Sequence, residues 1–149
     1  MVKGLGFTET GITLADSSDN FNPASALLRS DMAVMLTRAE GWTEIAEDIF
    51  NDVDDHSVRD YILKAVYAGI FEGYPDGTFR PSGTATRYEM VTALVRYLLG
   101  EEPTDDMWEE IVVSFTDVSH THWAFKYVAL ATAGYDALPE VADEVTDSD

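Results

Sequence analysis

Cysteine is absent from the 149 residues, which excludes disulfides, thiol nucleophiles and Cys-based zinc or iron–sulfur sites. Cations are nearly as scarce. Nine Lys and Arg stand against 28 Asp and Glu, a formal charge of −19. Nucleic acid and anionic membrane surfaces need cationic contacts that this chain does not have, so neither is expected as a partner. Long apolar runs are also missing: none approaches the roughly 18 residues of a membrane span, so no membrane insertion is expected. Met1 to Thr10 lacks both the charged and the apolar parts of a signal peptide, and any export signal is expected to have been removed or to lie outside this chain. What is present is a 46% hydrophobic composition, enough for one compact domain with a real core.

That composition is organised as a tandem repeat. Phe79-Arg80-Pro81 and the following Arg87-Tyr88-Glu89-Met90 lie 58 residues after Phe21-Asn22-Pro23 and Arg29-Ser30-Asp31-Met32. A second register runs at 65 residues, from Phe50-Asn51-Asp52-Val53 to Phe115-Thr116-Asp117-Val118 and from Ala68-Gly69 to Ala133-Gly134. The difference falls between Gly100 and Phe115, where the connection is longer. Within a single domain spanning 1–149, residues 7–42 therefore read as the back half of repeat 1, 50–100 as a complete repeat 2, and 115–135 as the front half of repeat 3. Residues 136–149 read as a solvated acidic tail.

In the complete repeat, Val58, Tyr61, Ile62, Ala65, Val66 and Gly69 fall on one helical face, predicting a helix over about 57–68 closed by Gly69. Tyr74-Pro75-Asp76-Gly77 predicts a turn, and Thr78 to Pro81 an extended segment. Thr86-x-x-Glu89 is a capping box that starts a second helix near Arg87, with Met90, Val91, Leu94, Val95 and Leu98 as its buried stripe and Gly100 as its end. In repeat 1, Leu28 holds the Thr position, so that helix loses a hydroxyl cap worth about 1 kcal/mol; Met32, Ala33 and Leu36 keep the stripe. Trp123, Tyr127, Leu130 and Ala131 repeat the first helix in the third copy. Short turns of helix are also expected around Met107-Trp108-Ile111-Val112 and Trp42-Ile45-Ala46. The fold class is thus mainly α: helix–loop–helix repeats around a pseudo-symmetric core, with short extended Phe-x-Pro segments.

The order Phe50-x-Asp52-Val53, Gly69-Ile70, Gly73-Tyr74-Pro75-Asp76-Gly77-Thr78-Phe79-Arg80-Pro81 and Thr86-Arg87-Tyr88-Glu89 resembles the S-layer homology domain of bacterial cell-surface proteins. Tyr88 alone replaces a usual Ala, and His122-Trp123-Ala124 is similar to the family's early helix; the likeness spans roughly 11–135. The resemblance implies repeats around a pseudo-threefold axis and noncovalent anchoring of exported proteins to cell-wall polysaccharide, often pyruvylated. It also implies that the Arg of the helix-start motif binds the acidic sugar, which points to Arg87 first and Arg29 second. A guanidinium at a helix start suits a ketal carboxylate, because it offers paired donors beside a favourable dipole.

Other residues divide between ligand and scaffold. Asp76 and Gly77 are turn formers whose backbone can approach a sugar, and Trp123 has a stacking ring in a stripe where core packing is the commoner outcome. Thr86, Glu89, Phe79, Pro81, Phe21 and Pro23 are read as structural motif residues. Asn51, Asp52, Asp54 and Asp55 only superficially suggest a calcium loop, because Ser57 and Leu63 stand where its Gly and Glu belong. An acidic cluster at a helix N-terminus explains them better. Weak surface Ca2+ binding is the most they allow, and no cofactor is expected. His56, His120 and His122 form no metal set, and no catalytic arrangement is found, so no enzyme is expected.

Departures from the family pattern thin the binding motif. Repeat 1 carries Ala15-Asp16 and Ser18-Asp19 in place of Gly-Tyr and Asp-Gly, and repeat 3 has no helix-start Arg. The first reading is an extracellular wall-anchoring module with cell-wall polysaccharide as partner. The second follows from the broken repeat phase: the two half-repeats can complete each other, within one chain to close a compact two-repeat body, or between chains to make a head-to-tail homo-oligomer, a self-assembling subunit of an S-layer, filament or other extracellular assembly.

Overall fold

A computed structural model describes residues 21–134. The departures from the family pattern at Ala15-Asp16 and Ser18-Asp19 and the acidic tail lie outside the described residues. Four helices follow in order: α1 (Arg29–Glu40), α2 (Arg59–Tyr67), α3 (Arg87–Leu99) and α4 (Phe125–Ala133). No strand forms among the described residues, and their only bridge joins Leu28 to Thr84, so the mainly helical class stands; the extended segment expected over 78–81 is corrected to a turn, because Arg80 takes φ +59 and Gly83 N–H closes onto its carbonyl. The chain divides into two compact units, Met1–Ala85 and Thr86–Asp149. The division falls inside repeat 2, immediately before its second helix.

In the first unit α1 packs on α2. Met32, Ala33 and Val34 of α1 and Ile62, Leu63 and Ala65 of α2 are buried, with Phe50, Val53, Ile70, Phe71 and Phe79 filling the rest of the core. Phe50 and Phe71 both meet the Phe79 ring edge-on, at 5.6 and 5.8 Å, a favoured aromatic geometry. Helix α2 starts at Arg59, two residues later than the periodicity predicts, because turns closed by His56 N–H to Val53 O and Arg59 N–H to His56 O occupy the lead-in. That start corrects the reading of Asp52, Asp54 and Asp55 as a dipole-complementing cluster: only Asp60 lies in the first turn of α2. The helical turn expected around Trp42, Ile45 and Ala46 does not form; the segment is irregular and is tied to α2 by Ala46 N–H donating to Leu63 O.

In the second unit α3 packs on α4. Val95, Leu99, Ala124, Tyr127 and Leu130 make the core, and Met107, Trp108 and Ile111 close over it. The extra helix expected around them shrinks to a single 3-10 turn, Asp105–Met107, and Val112 is left exposed. The buried face of α3 also differs from the expected stripe. Thr92, Ala93, Val95 and Leu99 are buried, whereas Leu94 and Leu98 are exposed and Met90 and Val91 half-buried. Val91, Leu94, Val95, Leu98 and Leu99 form one stripe at i, i+3, i+4, i+7 and i+8, but the buried face is turned from it toward Thr92 and Ala93, so only its Val95 and Leu99 edge is covered.

Candidate functional site

Three latches build the loop between α2 and α3 from its sequence motifs. The turn Tyr74-Pro75-Asp76-Gly77 closes with Gly77 N–H to Tyr74 O at 3.0 Å, and Gly77 takes φ +79 so that Tyr74 N–H can reach Thr78 O at 2.8 Å. Asp76 braces it by accepting from Thr78 Oγ1 (2.6 Å), Thr78 N–H (3.1 Å) and the Arg80 guanidinium (2.9 Å). Hydrogen bonds from the Thr78 hydroxyl and then from Arg80 hold the Asp76 carboxyl down at about 2. Asp76 and Gly77 therefore act as turn residues, as the sequence suggests.

The second latch is Asp52, whose carboxylate accepts the N–H groups of Phe79 and Arg80, each at 2.8 Å. The aspartate of the Phe-x-Asp-Val motif thus clamps the backbone of the Phe-x-Pro motif 27 residues later. Sequence reading missed this role; the signal available was the paired recurrence of both motifs. The third latch is steric: a Cβ on Gly73 would lie 2.2 Å from the Phe50 ring.

The loop then seals the start of α1. Leu28 has no side-chain oxygen to cap it, and only the return half of a capping box survives, Leu28 N–H donating to Asp31 at 3.3 Å. Instead Arg29 N–H donates to Gly83 O at 2.9 Å and Ser30 N–H to Pro81 O at 3.0 Å, satisfying two donors that a helix start leaves open. Arg29 is buried. Its guanidinium donates to Phe79 O at 2.8 Å and Glu72 O at 3.2 Å, over the rings of Phe79 and Tyr74 at 4.6 and 4.8 Å. Phe79 and Pro81, both buried, are the structural members expected. Their repeat 1 counterparts differ: Phe21 is 48% exposed, and Pro23 is exposed as well.

The corresponding helix start in the second unit looks outward. Thr86 Oγ1 accepts from Glu89 N–H at 3.2 Å, and Glu89 accepts from Thr86 N–H at 2.7 Å, the capping box read from sequence. Arg87 is exposed and makes no hydrogen bond or ion pair among the described residues. It opens onto a groove of about 590 Å³ with Tyr88, Val91, Phe115, Asp117, Val118 and Val128 in its walls. Tyr88 stacks on His122 at 4.3 Å and tilts against Trp123 at 6.3 Å. Trp123 lies before α4 rather than within it and is 58% exposed, which corrects the expectation of core packing: Phe125 and Tyr127 supply the buried rings there. Arg87, Tyr88 and Trp123 are thus brought together in one unit, while Arg29, Asp76 and Gly77 belong to the other. Among the described residues no three His, Asp or Glu side chains converge to hold a metal.

A mainly helical chain of paired helix–loop–helix repeats, with a Phe-x-Asp-Val latch and an Arg at a capped helix start, defines a repeat module of bacterial surface proteins. The S-layer homology domain matches residues 49–91, and the chain belongs to that family. It is 32% identical over 116 residues to a cellulosome-anchoring protein of Acetivibrio thermocellus, covering 73% of this chain and 25% of the relative. It is also 31% identical over 127 residues to a surface-layer 125 kDa protein of Lysinibacillus sphaericus, covering 84% of this chain and 10% of that one. An outer membrane protein alpha of Thermotoga maritima is 48% identical over 50 residues, 33% of this chain and 12% of its own length. The chain spans a quarter or less of these relatives. No solved structure gives a significant match. Membership assigns the chain to the cell surface as an S-layer homology module, a non-catalytic class.

Proposed function

We propose that the chain is a non-catalytic module that holds a larger surface protein to an acidic cell-wall polysaccharide, with Arg87 as the anion-binding side chain. The observation that carries this reading is the contrast between the two repeat arginines. Arg29 is buried against carbonyls and rings, whereas Arg87 is exposed at the mouth of a groove and unpaired among the described residues. A guanidinium pairs with a sugar-borne carboxylate through two parallel hydrogen bonds, and the first turn of a helix adds a favourable dipole. The exposed indole of Trp123 and the ring of Tyr88 supply apolar faces of the kind that pack on sugar rings. Asp117 in the same groove opposes a second negative charge, which favours a glycan with spaced rather than clustered carboxylates.

Titration calorimetry with purified pyruvylated wall polysaccharide tests the assignment. A charge-assisted contact is worth about 1.5–3 kcal/mol, so Arg87→Ala is expected to weaken binding about ten- to a hundredfold, with Arg87→Lys intermediate because a point charge loses the paired geometry. Equal affinity of wild type and Arg87→Ala would remove Arg87 from the site.

A further inference from the structure

The groove beside Arg87 is also an unfilled copy of a joint that is filled elsewhere in the same chain. In the first unit the Phe79-Arg80-Pro81 turn occupies a receptor made of Phe50, Asp52, Val53 and the start of α1. Its own shape depends on Arg80 at φ +59, with Gly83 N–H closing onto Arg80 O at 3.0 Å. Every part of that receptor recurs in the second unit, and there each part is open. Phe115 is 53% exposed where Phe50 is 5% exposed. Asp117 accepts no hydrogen bond from the described residues, where Asp52 accepts two. Val118 is half-buried where Val53 is fully buried. The N–H groups of Arg87 and Tyr88 find no acceptor among the described residues, where those of Arg29 and Ser30 bind Gly83 O and Pro81 O.

The missing ligand is a Phe-x-Pro turn, and the chain holds two such triplets, at 21–23 and 79–81. The second is in use. The first has the same shape: Asn22 takes φ +54, and Ser25 N–H closes onto Asn22 O at 3.0 Å. A positive φ is costly for a residue other than Gly, so a turn already held in it has met most of the ordering cost of docking. This turn is exposed from Phe21 to Ser25. The turn is thus exposed, the receptor is open among the described residues of its own unit, and each matches the other.

We propose that the turn Phe21–Ser25 of a second copy of this chain docks in the groove at Arg87, making a head-to-tail contact. Phe21 of that copy fills the space beside Phe115, and its N–H meets Asp117. The carbonyls of Ser25 and Pro23 accept from Arg87 N–H and Tyr88 N–H, and the Arg87 guanidinium turns onto the Phe21 carbonyl as Arg29 does onto that of Phe79. Such a contact is heterologous, so it grows into a ring or filament rather than stopping at a dimer. The proposal rests on the repeat geometry and not on the glycan reading; a docked turn occupies Arg87 and the groove, so the two occupants compete for one site.

Sedimentation velocity of the full chain across a wide concentration range, in the absence of polysaccharide, is the test. The wild type is expected to gain mass with concentration, and Phe21→Ala and Asp117→Ala each to weaken association at least tenfold. The informative sample is an equimolar mixture of the two variants. Phe21→Ala keeps a sound receptor and Asp117→Ala a sound turn, so the mixture should form one-to-one dimers and nothing larger. That complementation also rules out misfolding as the cause of the single defects. A wild type that stays monomeric throughout overturns the proposal, as does a monomer whose Phe21 is shielded by its own chain. Oligomers indifferent to both substitutions, as an interface through the exposed Leu94, Tyr97 and Leu98 would give, overturn it equally.

Discussion

Replacing Asp52 by Ala removes the acceptor that fixes the Phe-x-Pro turn, and the size of the loss can be worked from its two hydrogen bonds. The Phe79 N–H belongs to a residue with no exposed surface, so water cannot replace the carboxylate there, and a charge-assisted bond of this kind is worth about 1.5–3 kcal/mol. The Arg80 N–H is exposed and rehydrates, adding about 0.5 kcal/mol at most. The total is about 1.5–3.5 kcal/mol, which for a unit of this size lowers the melting temperature by roughly 6–28 °C. Asp52→Asn keeps one acceptor oxygen and is expected to cost about 1 kcal/mol. Asp117→Ala is the internal control: it holds the same place in the next copy but accepts nothing among the described residues, so at concentrations where the chain is monomeric its effect on stability stays within about 0.5 kcal/mol. Thermal unfolding followed by near-ultraviolet circular dichroism measures all three. Equal destabilisation by Asp52→Ala and Asp117→Ala would refute the assignment of Asp52 as a latch.

Gly73→Ala should be comparably damaging, by about 1–3 kcal/mol of overpacking, because the added carbon runs into the buried Phe50 ring and meets Thr78 O at 3.1 Å; restoration by a second substitution, Phe50→Leu, would show that the ring is the obstacle, and no rescue would contradict it. The second unit should weaken at both ends of the pH scale. Burial, and then the 2.6 Å hydrogen bond to Glu102, raises the Tyr127 hydroxyl above its ordinary value, so folding favours the neutral phenol; that stabilisation is complete below about pH 10 and is lost as pH rises further. Burial pushes Glu102 up, but Tyr127, Lys126 and Arg96 together draw it below the ordinary carboxylate range, so its contribution is present at neutral pH and is lost on acidification through that lowered value. A pH series of melting temperatures on wild type and Tyr127→Phe checks this: the variant should lose the alkaline slope, and an unchanged slope would place its origin elsewhere.

The features that the sequence disclosed are those carried by local chemistry. The capping box of Thr86 and Glu89, the Pro75-Asp76-Gly77 turn and the helix end at Gly100 each depend on a few neighbouring residues with defined conformational needs, and each forms as read. The features that escaped it depend on contacts far along the chain. Nothing near Asp52 reveals that its partners are the N–H groups of Phe79 and Arg80, so a latch resembled a fragment of a calcium loop. The buried face of α3 is turned from its apolar stripe toward Thr92 and Ala93, a shift set by what packs on the helix and not by spacing. The family motif named both arginines as candidates, and although Leu28 replaces the capping Thr beside Arg29, nothing local to either position says which guanidinium is buried. What separates them is whether a later segment of chain lies across the helix start.

That covering has a consequence for arrays. If each repeat lays its Phe-x-Pro turn over the helix start of the one before, as Phe79 to Gly83 lie over Arg29 and Ser30, then adding repeats lengthens the chain without multiplying its open ends. The valence of such a strand is one at each extremity, whatever its length. Growth, rather than density of sites, is what the joint supplies.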